Sequence, residues 1–282
     1  LMQQGLAHDW AIIGAGVRAG DAAQRDRLAA QDYLTTLIEL DPKGRSAEVV
    51  GSMIGFVPVE EDNAALIAQR TAPAIRIVAL TVTEGGHYID PVTKAFDAAH
   101  PDMQYDAAHP DSPRTAFGAM IAALRVRRAN GTGPFTAQSC DNLQGNGTIL
   151  RQTVVSLARL SDPDLAEWID SACTFPNSMV DCIVPATGPK ELDLVKAFGR
   201  LAKKNAGFQK EVTDSQKTAN KMQRELKAEQ NNDPAYTKAQ TKAREATLKS
   251  MIGGDSGVVP ANSAMIFWCL RKPGPVCWSG VR

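Results

Sequence analysis

The sequence predicts an α/β protein with a mainly parallel sheet, and three observations lead to this class. Along the first 185 residues, short apolar runs alternate with stretches that have helical periodicity. Several of the apolar runs are continuous, which is typical of strands buried on both faces of a parallel sheet. Apolar residues make up 44% of the 282-residue chain and charged residues 22%, which excludes wholesale disorder.

The elements follow one another in a regular order. The predicted strands are Trp10–Gly16, Tyr33–Leu40, Glu48–Val57, Ile75–Thr83, Phe135–Cys140 and Thr174–Val184. The predicted helices are Asp21–Gln31, Glu61–Arg70, Arg114–Asn130, Gly147–Leu160 and Pro163–Ala172. In Arg114–Asn130 the apolar residues share one face, and arginines cluster near the carboxyl end, where the helix dipole favours them.

Charge divides the chain into two parts. Residues 1–189 contain 14 Lys+Arg and 22 Asp+Glu, a net charge of −8, and residues 190–282 contain the remaining 17 and 9, a net charge of +8. The change falls in the turn-prone run from Pro185 to Pro189. We therefore predict an α/β domain over residues 8–186, followed by a separate basic segment.

The basic segment has the periodicity of a long helix. From Leu194 to Leu226 the stripe residues recur with alternating spacings of four and three, a heptad pattern with polar Asn205 and Ser215 in the seam. Asp233-Pro234 then favours the start of a second helix. The sequence predicts a helical hairpin over residues 191–252 that binds a helical protein partner, and an irregular tail over 253–282. No aromatic residues interleave with the lysines of its outer face, so we do not expect nucleic-acid binding.

Several classes of protein are excluded. The candidate membrane spans are broken by Arg, Asp or Gly, and no signal peptide is visible, so no membrane association is expected. Five cysteines without a CxxC spacing favour free thiols in a reducing, cytoplasmic compartment over disulfides or a zinc site. Asp-Ala-Ala-His-Pro-Asp occurs twice, at residues 97–102 and 106–111. This repeat is either a metal site or a polar loop with proline turns; we favour the loop and predict no metal.

A glycine-rich turn raises the question of dinucleotide binding. Gly14, Gly16 and Gly20 follow an apolar run and precede a predicted helix, and such a turn lets backbone approach a pyrophosphate. Glu39 lies 19 residues beyond Gly20, where an acid that binds a ribose is expected. The alternative is a tight strand-to-helix turn that binds no phosphate. The residues alone leave the two interpretations open.

Other segments resemble a known family. The runs Leu28–Tyr33, Thr81–Tyr88, Ser112–Gly118, Ser139–Gly147 and Phe175–Pro185 occur in the order in which they occur in long-chain polyol dehydrogenases, the mannitol dehydrogenase family. The resemblance covers about residues 8–186. It implies an incomplete doubly wound, Rossmann-like sheet, because the first strand and the GxGxFxRAH phosphate turn of the family are not found in this chain. An exposed groove is expected where that strand would lie.

The resemblance also assigns roles to particular residues. The segment Gly14–Gly20 becomes the end of the second strand of the family, and Asp21, rather than Glu39, takes the place of the acid that binds the adenosine ribose of NAD. Thr83 and Glu84 match the loop on the cofactor side. Asn142 matches an asparagine that stabilises the developing oxyanion, and Asp181 an acid that orients the hydroxyls of a polyol or ketose substrate. Without the resemblance, Asn142 would be interpreted as a helix N-cap.

Two departures from the family lead to two hypotheses. Cys182 replaces an arginine of the family, and residues 190–282 contain no KxxxxNxxH sequence, which carries the lysine base. The first hypothesis is a metal-independent, NAD-dependent polyol dehydrogenase, weakly active or inactive as this chain stands. The alternative is a non-catalytic protein with a degenerate Rossmann-like domain and a coiled-coil hairpin for partner binding.

Overall fold

The computed structural model describes residues 10–17, 20–41, 44–90, 92–179, 189–202, 217, 221 and 265–271. The strands are β1 (Trp10–Gly16), β2 (Thr35–Asp41), β3 (Gly44–Val50), β4 (Met53–Phe56), β5 (Ile75–Thr81), β6 (Thr136–Ser139) and β7 (Met265–Arg271). The helices are α1 (Asp21–Ala29), α2 (Ala64–Thr71), α3 (Pro101–Ala108), α4 (Ala116–Ala129), α5 (Asn146–Ser161), α6 (Pro163–Ala172) and α7 (Pro189–Ala202), with a 3₁₀ turn at Glu84–His87.

Five strands form the main sheet, in the order β4-β1-β7-β5-β6. The pairs β1–β4 and β5–β6 are parallel, and β7 is antiparallel to both of its neighbours, β1 and β5. Met265, at the start of β7, pairs with Gly16 on one side and Thr81 on the other. The four parallel strands therefore all end at one edge of the sheet, which we call the carboxyl edge. This mixed but mainly parallel arrangement confirms the predicted fold class.

The centre of the sheet corrects two expectations. In a doubly wound sheet the first strand lies between the second and the fourth. If β1 is the second strand of the family, that place lies between β1 and β5, and β7 fills it. The expectation of an exposed groove is wrong, and so is the prediction of an irregular tail over residues 265–271. The physical reason is that the unpaired N–H and C=O groups of β1 and β5 are satisfied by an apolar segment from far along the chain.

A second correction concerns residues 33–57, which were predicted to form two strands of the parallel sheet. Strands β2 and β3 instead form a separate antiparallel ribbon, with Thr35 opposite Val50 and Asp41 opposite Gly44. Only β4, the end of the predicted strand Glu48–Val57, joins the main sheet. The predicted strand Thr174–Val184 is reduced to a single bridge between Thr174 and Thr136 within residues 174–179, and residues 180–184 lie outside the described part of the chain.

Helix α4 lies at the centre of the hydrophobic core. Seven of its residues, from Phe117 to Leu124 and without Gly118, are apolar and at most 5% exposed. All of them except Ala122 belong to one cluster with strand residues such as Val78 and Leu80 and with residues of α5 and α6. Full burial of a large apolar side chain is worth about 1.5–3 kcal/mol, so this helix contributes strongly to the stability of the domain. Its first turn is capped by Thr115, whose hydroxyl accepts a hydrogen bond from Gly118 N.

The close approach at Gly118 leads to a testable prediction. A β-carbon there would overlap the Asp106 carboxylate and come within 2.5 Å of Pro113 Cβ. Gly118→Ala is expected to destabilise the protein by about 1–3 kcal/mol, although alanine favours helix more than glycine does. Gly20→Ala is the matched control, because nothing lies within 4 Å of a β-carbon at that position. Urea unfolding of both variants would test this, and equal stabilities would contradict the packing at Gly118.

The histidine repeat is the predicted loop only in part, because residues 97–100 and 109–111 lie in loop or turn backbone and the rest of the repeat belongs to α3. Its first copy starts α3, with the His100 ring accepting from Asp102 N and Pro101 in the first turn, and its second copy ends that helix. Among the described residues, no group of three potential ligands could hold a metal ion. The described helix α7 covers the start of the predicted hairpin, and Lys217 and Lys221 are also helical; the rest of residues 203–252 lies outside the described part. No helix in the described ranges is both long and apolar enough to cross a membrane.

Candidate functional site at the carboxyl edge

The carboxyl edge gathers the segments that follow three of its strands. Val17 and Asp21 follow β1, Val82–His87 follows β5, and Cys140–Gly145 follows β6. In open α/β sheets, ligands bind outside these strand ends, at the point where the strand order reverses. Here that point lies between β1 and β5, since the chain leaves β4 on one side and returns to β5 and β6 on the other.

Asp141 connects the ends of β5 and β6. Its carboxylate accepts hydrogen bonds from Val82 N (3.1 Å), Thr83 N (2.9 Å) and the His87 ring at Nε2 (2.8 Å). Burial alone would raise the pKa of Asp141, but these hydrogen bonds and the charge of His87 outweigh it and hold the pKa below its usual value. The carboxylate is therefore ionised at neutral pH and acts only as an acceptor.

Thr83 lies in a strained backbone conformation. Its φ of 63° and ψ of 165° belong to a region that is almost confined to glycine and costs on the order of 1–3 kcal/mol. The hydrogen bond from its N–H to the Asp141 carboxylate holds this conformation, and the exposed side chain points away from the core. Glu84 starts the following 3₁₀ turn at the same edge. Backbone strain of this kind, held in place by the surrounding structure, is typical of loops that bind ligands.

Asn142 is exposed and follows Asp141 directly. Helix α5 starts at Asn146 and has Gly145, not Asn142, at its N-cap, so the structural alternative for Asn142 is wrong. Its amide makes no hydrogen bond with any described residue. An uncharged amide that the fold does not use, placed where β6 ends, can donate to a ligand oxygen.

The segment after α6 is anchored to the start of α5. Asn177 Oδ1 accepts from Gly147 N (2.9 Å) and Thr148 N (3.2 Å), and the Asn146 amide exchanges hydrogen bonds with Ser178 in both directions. The Ser178 hydroxyl also donates to Ser139 O (2.6 Å), at the end of β6. This anchoring leads the chain to the carboxyl edge through residue 179. Asp181, predicted to bind substrate, lies outside the described residues, so its proximity to Asn142 stays a prediction.

Removing this anchor is expected to have a measurable cost. Asn177→Ala leaves two N–H groups of the first turn of α5 without their acceptor, and should lower the free energy of unfolding by about 1 kcal/mol. Asn130→Ala, an exposed position just after α4, is a control for the loss of an amide. Urea unfolding would compare them. A control variant as destabilised as Asn177→Ala would contradict the special role of the anchor.

Asp21 lies at the other end of the edge. The residue is 9% exposed, and its carboxylate accepts from Val17 N (3.0 Å), so the side chain folds back over the end of β1. A β-carbon at Gly16 would collide with this side chain, which gives the second glycine of the turn a packing role. Strand β1 is three places from β6, so Asp21 and Asn142 are separated by roughly 14 Å along the sheet. Glu39 lies on the separate ribbon, bonded to Ser46, and not beside the glycine turn.

Sequence reasoning missed two residues of this edge. Both His87 and Asp141 lie inside motifs that carried the family resemblance, but their pairing across 54 residues has no signal in the sequence. Among the described residues, the thiols of Cys140 and Cys173 are poor candidates for a nucleophile. Burial and the charge of Asp141 raise the pKa of Cys140, and burial raises the pKa of Cys173 to about 12.

Comparisons with known proteins identify the family. A family model described as the mannitol dehydrogenase Rossmann domain matches residues 2–235. The chain belongs to the mannitol dehydrogenase family. The match extends beyond residue 186, where the recognised motifs end, into the predicted hairpin. Membership fits the carboxyl edge described above, where Thr83 and Asn142 carry the motifs of the family.

Individual relatives support the same membership. The chain is 59% identical over 199 residues to mannitol 2-dehydrogenase of Cereibacter sphaeroides and 46% identical over 193 residues to that of Aspergillus terreus. These matches cover 71% and 68% of the chain but only 42% and 38% of the relatives. The Pseudomonas fluorescens mannitol 2-dehydrogenase, solved as a ternary complex with NAD and D-mannitol, matches with a TM-score of 0.66 and 44% identity, over 70% of this chain and 40% of that one. A D-sorbitol dehydrogenase matches with a TM-score of 0.65 and 37% identity, over 68% of this chain and 40% of that one.

Proposed function

We propose that this chain provides the cofactor-binding domain of an NAD-dependent oxidoreductase that interconverts a mannitol-like polyol and a ketose. The observation that carries the proposal is the carboxyl edge, where Asp141 holds the Thr83 loop next to the unused amide of Asn142. The Pseudomonas fluorescens relative, solved with NAD and D-mannitol, supports the choice of cofactor and substrate. The proposal also includes a cytoplasmic, metal-independent protein; Cys140 and Cys173 are free thiols, which fits a reducing compartment.

Each residue of the edge has a defined task in this proposal. NAD accepts the hydride from the carbinol carbon. The Asn142 amide donates a hydrogen bond to the substrate oxygen as it becomes an oxyanion, which lowers the energy of the transition state. The Thr83–Glu84 loop positions the cofactor at the end of β5, and Asp21 lies at the adenosine end, where a carboxylate repels a 2′-phosphate and favours NAD over NADP.

The test has two parts, binding and turnover. NADH fluorescence titration of the purified chain should show saturable binding, with weaker binding of NADPH. Oxidation of mannitol, arabitol and sorbitol with NAD should be slow, because residues 190–282 contain no KxxxxNxxH sequence to supply a base. Mannitol is expected to be the best of the three substrates. A chain that binds neither cofactor would contradict the proposal.

A specific observation favours the second candidate, a non-catalytic protein that binds a partner. The strand at the switch point is β7, which runs antiparallel and so begins, rather than ends, at the carboxyl edge. It cannot lead from that edge into a helix whose first N–H groups bind a pyrophosphate. The NADH titration separates the candidates, since only the first requires saturable binding.

A further inference from the structure

The pair formed by His87 and Asp141 is the strongest feature that the proposed function does not use. The His87 side chain is buried, with the residue 0% exposed, and its Nε2 lies 2.8 Å from Asp141 Oδ2. Because the Asp141 carboxylate is an acceptor, Nε2 carries the proton and donates it. Among the described residues, Nδ1 has no hydrogen-bond partner. The ring is thus held through one nitrogen, and that nitrogen is directed at Asp141.

The surroundings keep the ring in this place. The Phe117 ring packs against it at a centroid distance of 5.8 Å, and the His87 carbonyl accepts from the Thr153 hydroxyl (2.7 Å). Helices α4 and α5 therefore fix His87 from two sides. A buried ring nitrogen without a partner costs free energy, and an apolar residue at a purely structural core position would avoid that cost.

Asp141 connects the fixed His87 ring to the backbone of Val82 and Thr83. Its Oδ1 accepts from Thr83 N, and its Oδ2 accepts from both Val82 N and His87. The strained Thr83 is thereby held at the end of β5, and Asn142 is the next residue of the chain after Asp141. One carboxylate thus connects the Thr83 loop to the segment that carries Asn142.

We propose that His87 is a positioning residue, which acts through Asp141 to hold Thr83 and Asn142 in the arrangement that binds NAD(H). This inference rests on the proposed function. A charge-assisted hydrogen bond is stronger than a neutral one, so its loss should loosen the loop rather than only remove packing.

Two substitutions at His87 separate the hydrogen bond from the packing. Glutamine can extend an N–H donor to the position of Nε2, whereas leucine fills the space without a donor. His87→Leu is expected to raise the NADH dissociation constant at least about tenfold, and His87→Gln should stay within about twofold of the wild type. Ile169→Val, at a fully buried position of α6, is the control; it should lower the thermal midpoint by about 2–4 °C and leave NADH affinity unchanged.

Amide hydrogen exchange supplies a readout that does not depend on NADH. The Val82 and Thr83 amides should exchange faster in His87→Leu and at the wild-type rate in His87→Gln. Wild-type affinity and exchange in His87→Leu, or the same losses in both His87 variants, would overturn the role of the Nε2 donor. A wild-type chain without saturable NADH binding would contradict the proposed function instead, and the exchange rates would still decide whether His87 holds Thr83.

Discussion

Replacing Phe267 with proline is expected to destabilise the main sheet strongly and to lower the thermal midpoint of the protein. Phe267 is the third residue of β7 and pairs with Gly14 of β1 and Ala79 of β5. Proline removes a backbone donor from a strand that has partners on both sides, at a cost of ~3 kcal/mol or more. For a chain of this size that cost corresponds to a fall of at least roughly 6–12 °C in the thermal midpoint.

The control is the same substitution in a strand with one partner. Ala47 lies on β3 and pairs only with Ile38 of the two-stranded ribbon, outside the main sheet. Ala47→Pro should disturb that ribbon and shift the thermal midpoint much less than Phe267→Pro does. Circular dichroism during heating would compare the two. If Phe267→Pro melted like the wild type, β7 would not lie between β1 and β5.

This central strand marks the limit of what the sequence predicts. The alternation of apolar runs and helical stretches identifies β1, β5 and β6 and the helices α1, α2, α4, α5 and α6, because their signals are local. Residues 265–270 also form an apolar run, but all of their strand partners lie more than 180 residues earlier in the sequence. The position of β7 depends on the unpaired N–H and C=O groups of β1 and β5. Because these groups are distant in sequence, the pattern of residues 265–271 does not predict where the strand lies.

The candidate site also has residues that the sequence predicts and contacts that it does not. Thr83 and Asn142 could be found because they lie in motifs at predicted strand ends, and parallel strands bring their ends together. The connection that Asp141 makes between Thr83 and Asn142 could not be predicted from the sequence. It depends on a buried hydrogen bond between Asp141 and His87 and on the unusual φ of Thr83. The glycine turn at Gly14–Gly20 suggested a phosphate site. In the structure, a β-carbon at Gly14 would collide with the Phe56 ring, and one at Gly16 would collide with the Asp21 side chain. Packing is therefore sufficient to explain both glycines.

Asn142→Ala is expected to lower the turnover of mannitol with NAD by about 10²–10³-fold, without lowering the thermal midpoint. The first half follows from the proposed role, since loss of one donor to a developing oxyanion has an effect of this size. The second half follows from the structure, because the exposed Asn142 side chain bonds to no described residue and caps no helix. Gln144→Ala is a matched control, since Gln144 is an exposed amide two residues further along the same loop.

Rates of NADH formation relative to the wild type would test the expected loss of turnover, and melting curves would test the unchanged thermal midpoint. Undiminished turnover in Asn142→Ala would remove Asn142 from the reaction, and an equal loss in Gln144→Ala would show that the loop, rather than the Asn142 amide, is what the reaction requires.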